Sequence, residues 1–346
     1  MMGSRLADVG EFGLIERIAR ILEPLNSTAH LGDRLALTIG DDGALWQGPR
    51  QGFQAITTDA LIEGVHFDRL TTSWTDLGWK SLAVNLSDVG AMGAQPELAV
   101  LSLGLPKHTE IEEVEAFYHG LVECASRWHV AIVGGDIVSS PILSINVTAV
   151  GTCRAGQLRR SLGSPGDLLA VTGWLGRSGG GLRLLEHGAS AGLVLGNAGE
   201  LIQAHVRPQP RIDEAACLVE AGVRCAMDVS DGLRGDTAHI CEQSACEAEI
   251  QTHRIPLHAA LLEQFGAADA LLLALDGGED YELLCAGSES AIQHAAALML
   301  ERTGTTLTVI GRLTESRGNA NRVTLLDAQG SPTDVASASW DHFRRG

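Results

Sequence analysis

Apolar residues recur every three to four positions in two N-terminal stretches of the chain. This spacing predicts helices over residues 12–25 and 77–92, and Gly93 and Pro96 close the second of them. Between and after the helices, short apolar runs are bounded by turn residues, which is the pattern of strands. The predicted strands cover residues 54–58, 98–105, 130–133 and 143–150.

The same alternation of strands and helices returns in the second half of the chain. A stretch rich in Gly, Ser and Arg, residues 151–166, separates the halves and is the best candidate for a domain junction. The predicted strands beyond it cover residues 168–172, 224–229 and 306–310, and the predicted helices cover residues 178–187, 212–221 and 233–242. Such alternation favours an α/β or α+β fold of two domains, which we place at residues 1–153 and 154–346.

Composition narrows the class of protein. With 346 residues and 45% hydrophobic content the chain can bury a sizeable core, and its net charge of −18 argues against a nucleic-acid or anionic-membrane surface. The seven cysteines are scattered and odd in number, so they predict reduced core thiols rather than a zinc site or a disulfide framework. The N-terminus lacks an apolar signal region and no stretch suits a membrane span, so we expect a cytoplasmic protein.

Aspartates repeatedly follow an apolar run and a small or glycine residue. The pattern occurs at Asp41-Asp42, Asp59, Asp136 and Asp228 with Asp231. A single such site is most simply a turn, because Asp and Gly favour turns. Repetition after four apolar strands instead predicts that short carboxylates converge on one cleft, where oxygen ligands suit Mg²⁺ bound to phosphates.

A polar stripe on the second predicted helix adds to this picture. Ser81, Asn85 and Asp88 fall on one face of a helix that is otherwise apolar. A solvated face is the simpler interpretation, but the flanking residues are apolar on most sides. Since buried polar groups need partners, the stripe is expected to face a ligand cavity.

Other candidate sites are less specific. Residues 172–181 join a strand to a helix with several glycines, but they match neither a P-loop nor a dinucleotide fingerprint. Arg159 and Arg160 could clamp a phosphate or lie on the surface, His66 could be a structural histidine, and the acidic run 277–282 could be a solvated loop. No nucleophile–base arrangement stands out, which fits phosphoryl transfer driven by positioning and charge neutralisation.

Taken in order, these motifs resemble the thiamine-monophosphate kinase family, within the superfamily of aminoimidazole ribonucleotide synthetase. The similarity runs from about residue 11 to residue 343. The matching segments are Glu11-Phe12-x-Leu14-Ile15, Ile39-Gly40-Asp41-Asp42, Thr57-Thr58-Asp59, Gly64-Val65-His66-Phe67, Asn85-Leu86-Ser87-Asp88, Gly134-Gly135-Asp136, Arg160-Ser161, Asp228-x-Ser230-Asp231-Gly232, Gly277-Gly278-Glu279-Asp280-Tyr281 and Trp340-Asp341-His342-Phe343. Departures occur at Gly43, at Ile137-Val138 and at Arg177-Ser178-Gly179-Gly180.

The resemblance implies transfer of the ATP γ-phosphate onto thiamine monophosphate, assisted by several Mg²⁺ ions and without a catalytic side chain. It implies an N-terminal ATP- and magnesium-binding domain that dimerises through its sheet and a C-terminal domain that covers the cleft. The implied magnesium ligands are Asp42, Thr57, Thr58, Asp59, Asp88, Asp136, Asp228 and Asp231. The implied ATP contacts are Gly135, Asp136, Arg160 and Ser230, and the implied acceptor contacts are His66, Glu279 and either Trp340 or Phe343.

Two alternatives stay open at this point. Another ATP-using synthetase of the same superfamily would share the fold, although selenophosphate synthetase and the hydrogenase-maturation enzyme normally carry a reactive cysteine near one terminus. Here the first cysteine is Cys124 and the last is Cys285. A non-catalytic nucleotide- or metal-binding module is the second alternative.

Overall fold

Two six-stranded mixed sheets, each covered by helices, make up the part of the chain that the structure describes. The structure is a computed structural model, and it describes residues 34–37, 41–48, 52–188, 197–316, 318 and 322–335. The predicted helix over residues 12–25 and the residues Trp340 and Phe343 lie outside these ranges. Within them, no helix combines the length and the apolar character that a bilayer span requires.

The first sheet has the strand order β1-β2-β3-β6-β4-β5. All its neighbouring pairs are antiparallel except β4 and β5, which run parallel. Its strands are β1 (Leu35–Leu37), β2 (Ala44–Gln47), β3 (Phe53–Ile62), β4 (Gln95–Leu105), β5 (Ala131–Ser139) and β6 (Ser144–Cys153).

Two helices cover one face of this sheet, α1 (Trp74–Ala91) and α2 (Ile111–Arg127). Helix α1 begins at Ser73, whose hydroxyl accepts a hydrogen bond from the amide of Asp76 at 3.0 Å. The two helices cross very closely, because a Cβ on Gly78 would lie 1.9 Å from the carbonyl oxygen of Phe117. Most of α1 is buried, so its polar residues face protein on nearly every side.

The second sheet has the order β12-β9-β11-β7-β10-β8, and only the β12–β9 pair is parallel. Its strands are β7 (Leu168–Thr172), β8 (Cys225–Asp228), β9 (Cys246–Gln251), β10 (Leu283–Gly287), β11 (Leu307–Glu315) and β12 (Val323–Leu326). The accompanying helices are α3 (Arg177–Glu186), α4 (Asn197–Val206), α5 (Ile212–Glu220), α6 (Leu233–Gln243), α7 (Ala259–Asp276) and α8 (Glu289–Arg302). All seven cysteines are buried free thiols, as the sequence predicted.

The predicted two-domain α/β (α+β) class is confirmed, but two strands run further than expected. Strand β3 continues through Asp59 to Ile62 because it pairs with β6 along its whole length. Strand β5 likewise continues through Asp136, since it pairs with β4 as far as Ser139. The description of these aspartates as strand-end residues was therefore wrong. It is correct for Asp228, which ends β8.

Candidate active site

Three carboxylates from three separate elements meet where the two sheets approach each other. Asp42 precedes β2, Asp88 lies in the last turn of α1, and Asp228 ends β8. One oxygen of each lies within 4.8 Å of the others. Asp42 Oδ2 and Asp228 Oδ1 are buried and have no hydrogen-bond partner among the described residues. Buried orphan oxygens converging in this way suit a hard divalent cation.

Hydroxyl groups hold two of these carboxylates in place. Thr57, on the helix-facing side of β3, donates to Asp88 Oδ2 at 2.6 Å. Ser87 donates to Asp228 Oδ2 at 2.5 Å, across 141 positions of sequence. Each bond occupies one oxygen and leaves the other available, which is the arrangement that a metal ligand requires.

The neighbouring Asp41 supports Asp42. Its Oδ1 accepts from the amide of Asp42 at 2.9 Å and its Oδ2 accepts from the amide of Arg160 at 3.2 Å. The guanidinium of Arg160 donates to Asp42 Oδ1. Arg160 therefore brings positive charge directly to the carboxylate cluster.

Negative charge accumulates in this buried cluster beyond what Arg160 can balance. Burial, with the nearby carboxylates Asp42 and Asp231, raises the pKa of Asp59 to about 6. Burial and the adjacent Asp42 raise the pKa of Asp41 to about 7. Burial and neighbouring carboxylates raise the pKa values of Asp88 and Asp228 well above the ordinary range. Burial and like charges thus disfavour ionisation of these carboxylates, and divalent cations would supply the counter-charge that the ionised cluster needs.

An aspartate that sequence reasoning missed shapes the loop after β8. Asp236, on the first turn of α6, accepts from the amides of Ser230, Asp231 and Gly232 through its Oδ2, at 3.1, 3.3 and 3.1 Å. This carboxylate fixes the backbone that presents Ser230 and Asp231. Its position four residues beyond Gly232, in the first turn of a predicted helix, was the available signal.

The acidic run 277–282 is partly or fully buried at every residue and carries backbone strain, so it is not a solvated loop. Glu279 and Tyr281 adopt positive φ angles of 56° and 51°, which cost on the order of 1–3 kcal/mol each. The loop is held by backbone bonds from Glu279 to Ser230 (2.7 Å) and from Tyr281 to Val229 (2.9 Å). Asp280 caps helix α3, accepting from the amide of Ser178 at 3.0 Å.

A second missed residue, Lys80, is completely buried in α1. Its Nζ donates to Glu279 Oε2 at 3.0 Å, and His205 Nδ1 lies 3.2 Å from the same oxygen. A lysine on the apolar part of a helix, between Trp79 and Ser81, was the signal that could have identified it, because an unpaired buried ammonium is costly.

Several predicted residues lie apart from the carboxylate cluster. Thr58 faces the opposite side of the sheet from Thr57, where it donates to the carbonyl of Val147 at 2.9 Å. Gly135 and Asp136 are exposed on β5, three strands from β3, which corresponds to about 14 Å. The ring Nδ1 of His66 accepts from the amide of Ile62 at 3.1 Å.

The polar stripe of α1 differs from the expectation in two of its three members. Asn85 is fully buried, and it accepts from the amide of Asp59 at 3.0 Å and donates to the carbonyl of Ser81 at 3.0 Å. The hydroxyl of Ser81 donates to the carbonyl of Gly78 at 3.0 Å. Both residues thus fix protein backbone rather than face a cavity, and only Asp88 joins the cluster.

Comparison with known families covers both halves of the chain. The family AIR synthase related protein, N-terminal domain, matches residues 40–153, and AIR synthase related protein, C-terminal domain, matches residues 164–323. Hydrogenase maturation protein HypE shares the fold, with a TM-score of 0.68 at 18% identity for its complex with ATP.

Closer relatives match over nearly the whole chain. Thiamine-monophosphate kinase of Haemophilus influenzae is 36% identical over 97% of this chain and 98% of its own length. That of Escherichia coli K12 is 35% identical over 96% and 98%. The solved complex of AaThiL with AMPPCP and TMP has a TM-score of 0.84 at 33% identity, covering 99% of this chain and 100% of that one. Thiamine-monophosphate kinase from Stenotrophomonas maltophilia has a TM-score of 0.74 at 38% identity, covering 91% and 96%.

Proposed function

This chain belongs to the thiamine-monophosphate kinase family, and from that premise we propose that it phosphorylates thiamine monophosphate with ATP. The products are thiamine diphosphate and ADP. The observation that carries the proposal is the similarity to these kinases over at least 96% of the chain, joined to the cluster of Asp42, Asp88 and Asp228.

In the proposed reaction an oxygen of the acceptor phosphate attacks the γ-phosphorus of ATP. The new P–O bond forms as the bond to the β,γ-bridging oxygen breaks, and ADP leaves with that electron pair. The described residues near the cluster supply carboxylates and hydroxyls rather than an activated nucleophile, which favours direct transfer over a covalent enzyme intermediate. Catalysis then rests on alignment and on charge neutralisation.

Asp42, Asp88 and Asp228 are the residues we propose to hold Mg²⁺, because two of them carry buried oxygens without a partner among the described residues. Thr57, Thr58, Asp59, Asp136 and Asp231 remain the further ligands that the family resemblance implies. When bound, Mg²⁺ would neutralise the phosphate oxygens of both substrates. The protein's own contribution is to keep the carboxylates oriented through Thr57 and Ser87.

Nucleotide and acceptor contacts are proposed from the same resemblance. Gly135, Asp136, Arg160 and Ser230 would contact ATP. His66, Glu279 and Trp340 or Phe343 would contact thiamine monophosphate. The backbone hydrogen bond between Glu279 and Ser230, at 2.7 Å, would keep the two substrate regions in register.

We further propose a homodimer formed through the first sheet. Strand β5 is an edge strand with exposed apolar residues Val133, Ile137 and Val138, at 58, 59 and 50% exposure. An exposed apolar edge strand favours pairing with a second copy, and Gly135 and Asp136 lie on that strand.

Residues 1–153 would then bind ATP and dimerise, and residues 154–346 would cover the cleft. Sedimentation of the wild type and of Ile137→Lys tests this, and a monomeric wild type would refute it.

The cytoplasm is the compartment that this proposal implies. It supplies ATP, and its reducing conditions would keep seven unpaired thiols reduced.

A direct assay decides the proposed function. The purified chain is incubated with ATP, Mg²⁺ and thiamine monophosphate, and thiamine diphosphate and ADP are quantified by chromatography. We expect equal amounts of the two products, with Asp228→Asn as the matched control. Nucleotide binding without product would favour a binding module. ADP formed without thiamine diphosphate would favour another synthetase of the superfamily.

A further inference from the structure

A lysine buried in helix α1 reaches across to the acidic loop of the second sheet. Lys80 is 0% exposed to solvent, and its Nζ lies 3.0 Å from Glu279 Oε2. The two residues are 199 positions apart. A buried ammonium is retained only with a well-placed partner, so this contact is a specific feature of how the two halves meet.

His205 makes a second contact with the same carboxylate oxygen. Its Nδ1 lies 3.2 Å from Glu279 Oε2 and 3.0 Å from Ser178 Oγ. Since an ionised carboxylate can only accept, Nδ1 carries the hydrogen. Ser178 and Glu279 contact the same ring nitrogen of His205. In the catalytic triad of a hydrolase, the serine and the carboxylate instead contact the two different ring nitrogens of the histidine. The cluster is therefore an anchor for Glu279 rather than a nucleophile relay.

The anchoring is one-sided. Oε2 accepts a hydrogen bond from Lys80 and lies 3.2 Å from His205 Nδ1, while Oε1 has no hydrogen-bond partner among the described residues. The Glu279 side chain is 26% exposed although both donors are almost fully buried. Burial alone would raise the pKa of Glu279, but Lys80, His205 and His66 together lower it. His66, a proposed acceptor contact, is thus close enough to Glu279 for its charge to influence this carboxylate.

Building on the proposed function, we infer that Lys80 and His205 are positioning residues for the phosphoryl acceptor. They hold Oε2 of Glu279 so that Oε1 faces the cleft as an ionised acceptor. An anchored carboxylate of this kind recognises a cationic or hydrogen-donating group, and thiamine monophosphate offers a thiazolium ring and an amino group. The strained backbone at Glu279 fixes the direction of the side chain.

If Lys80 only joined the two halves of the chain, its replacement should raise the KM values for both substrates equally. Another residue that joins the halves provides a matched control. Arg207 also joins the two halves, donating to Asp76 of α1 at 2.5 Å and to Glu123 of α2 at 2.9 Å. It has no contact with Glu279. Arg207→Met therefore removes two ion pairs between the halves while leaving the acceptor carboxylate anchored.

The test compares KM values for both substrates. We expect Lys80→Met to raise KM for thiamine monophosphate by about 10- to 100-fold, the loss expected for a misplaced charge-assisted hydrogen bond. KM for ATP should stay within about twofold, and Arg207→Met should change neither KM to that extent. His205→Leu should behave like Lys80→Met, and His205→Asn should restore the wild-type KM, because an asparagine amide can donate near the position of Nδ1.

A double-mutant cycle decides whether Lys80 acts through Glu279. Lys80→Met combined with Glu279→Gln should have the same KM for thiamine monophosphate as Glu279→Gln alone. Additive effects, or equal rises in both KM values, would overturn the inference. If Lys80→Met fails to fold, the two His205 variants decide the same question. An active wild type with an unaffected KM in these variants refutes only the positioning role. A wild type without turnover on thiamine monophosphate refutes the proposed function and the inference with it.

Discussion

Replacing Asp228 by Asn should separate catalysis from folding. The change keeps the size of the side chain and leaves an oxygen that can accept the hydrogen bond from Ser87, now 2.5 Å long. It removes one negative charge from a carboxylate that is only 1% exposed and whose Oδ1 has no partner among the described residues. The variant should therefore fold normally while the charge of the cluster changes.

The magnitudes follow from the geometry of the cluster. The carboxylate oxygens lie within 4.8 Å of one another, and two unit charges at that upper limit repel by about 3.5 kcal/mol at an effective dielectric constant of about 20. Burial and the neighbouring carboxylates raise the pKa of Asp228 and so disfavour its ionised form, and the metal-free variant should therefore be at least as stable as the wild type at pH 8. In the Mg²⁺-bound enzyme the lost charge removes one electrostatic element, and kcat should fall by at least about 10²-fold.

Two assays measure the two effects. Steady-state kinetics with ATP, Mg²⁺ and thiamine monophosphate give kcat, and thermal unfolding with and without Mg²⁺ gives stability. The variant should unfold at or slightly above the wild-type temperature without Mg²⁺, and it should gain less from added Mg²⁺. Near-normal turnover in a folded Asp228→Asn protein would refute the assignment of Asp228 as a metal ligand.

Three further predictions test the surroundings of the site. Raised pKa values of about 7 for Asp41 and about 6 for Asp59 mean that Mg²⁺ competes with protons, so the rise in Tm on adding Mg²⁺ should grow from pH 5 to pH 8, and a rise independent of pH would contradict this. Asp236→Ala should lower the free energy of unfolding by about 2–3 kcal/mol in denaturant titrations, since three backbone amides lose their acceptor, and an unchanged midpoint would count against that role. Arg211→Met should lower the free energy of unfolding by about 3–5 kcal/mol in the same titration, because the buried carboxylate of Glu282 loses two hydrogen bonds of 2.6 Å from the Arg211 guanidinium. The double variant Arg211→Met with Glu282→Gln should recover most of this loss.

Elements with strong local patterns were predictable from the sequence. Helix α1 was expected over residues 77–92 and lies at Trp74–Ala91, and strand β7 lies at Leu168–Thr172 as expected. The periodicity of apolar residues indicates the buried face of an element, and flanking glycines mark its ends. Such elements can therefore be predicted without knowing which other elements they pack against. Strand lengths were harder, because β3 and β5 extend through Asp59 and Asp136 only by pairing with distant strands.

The candidate site was predictable in its chemistry and not in its contacts. Repeated aspartates predicted a carboxylate cluster that includes Asp42 and Asp228, the polar stripe of the helix predicted that Asp88 faces a ligand cavity, and these three residues do meet. The roles of Ser87 and Lys80 were not predicted, because their partners lie 141 and 199 positions away and no local pattern encodes such pairing. Long-range contacts of this kind depend on how the two sheets meet, which is a property of the folded chain.

Transfer of label from ATP is the most direct test of the proposed phosphoryl transfer. The wild-type chain is supplied with ATP labelled in the γ-phosphate, Mg²⁺ and thiamine monophosphate, and the products are separated. Direct transfer predicts that the label appears in the terminal phosphate of thiamine diphosphate, one for each ADP formed, and only when Mg²⁺ is present. Label recovered solely as inorganic phosphate, with no labelled thiamine diphosphate, would contradict it.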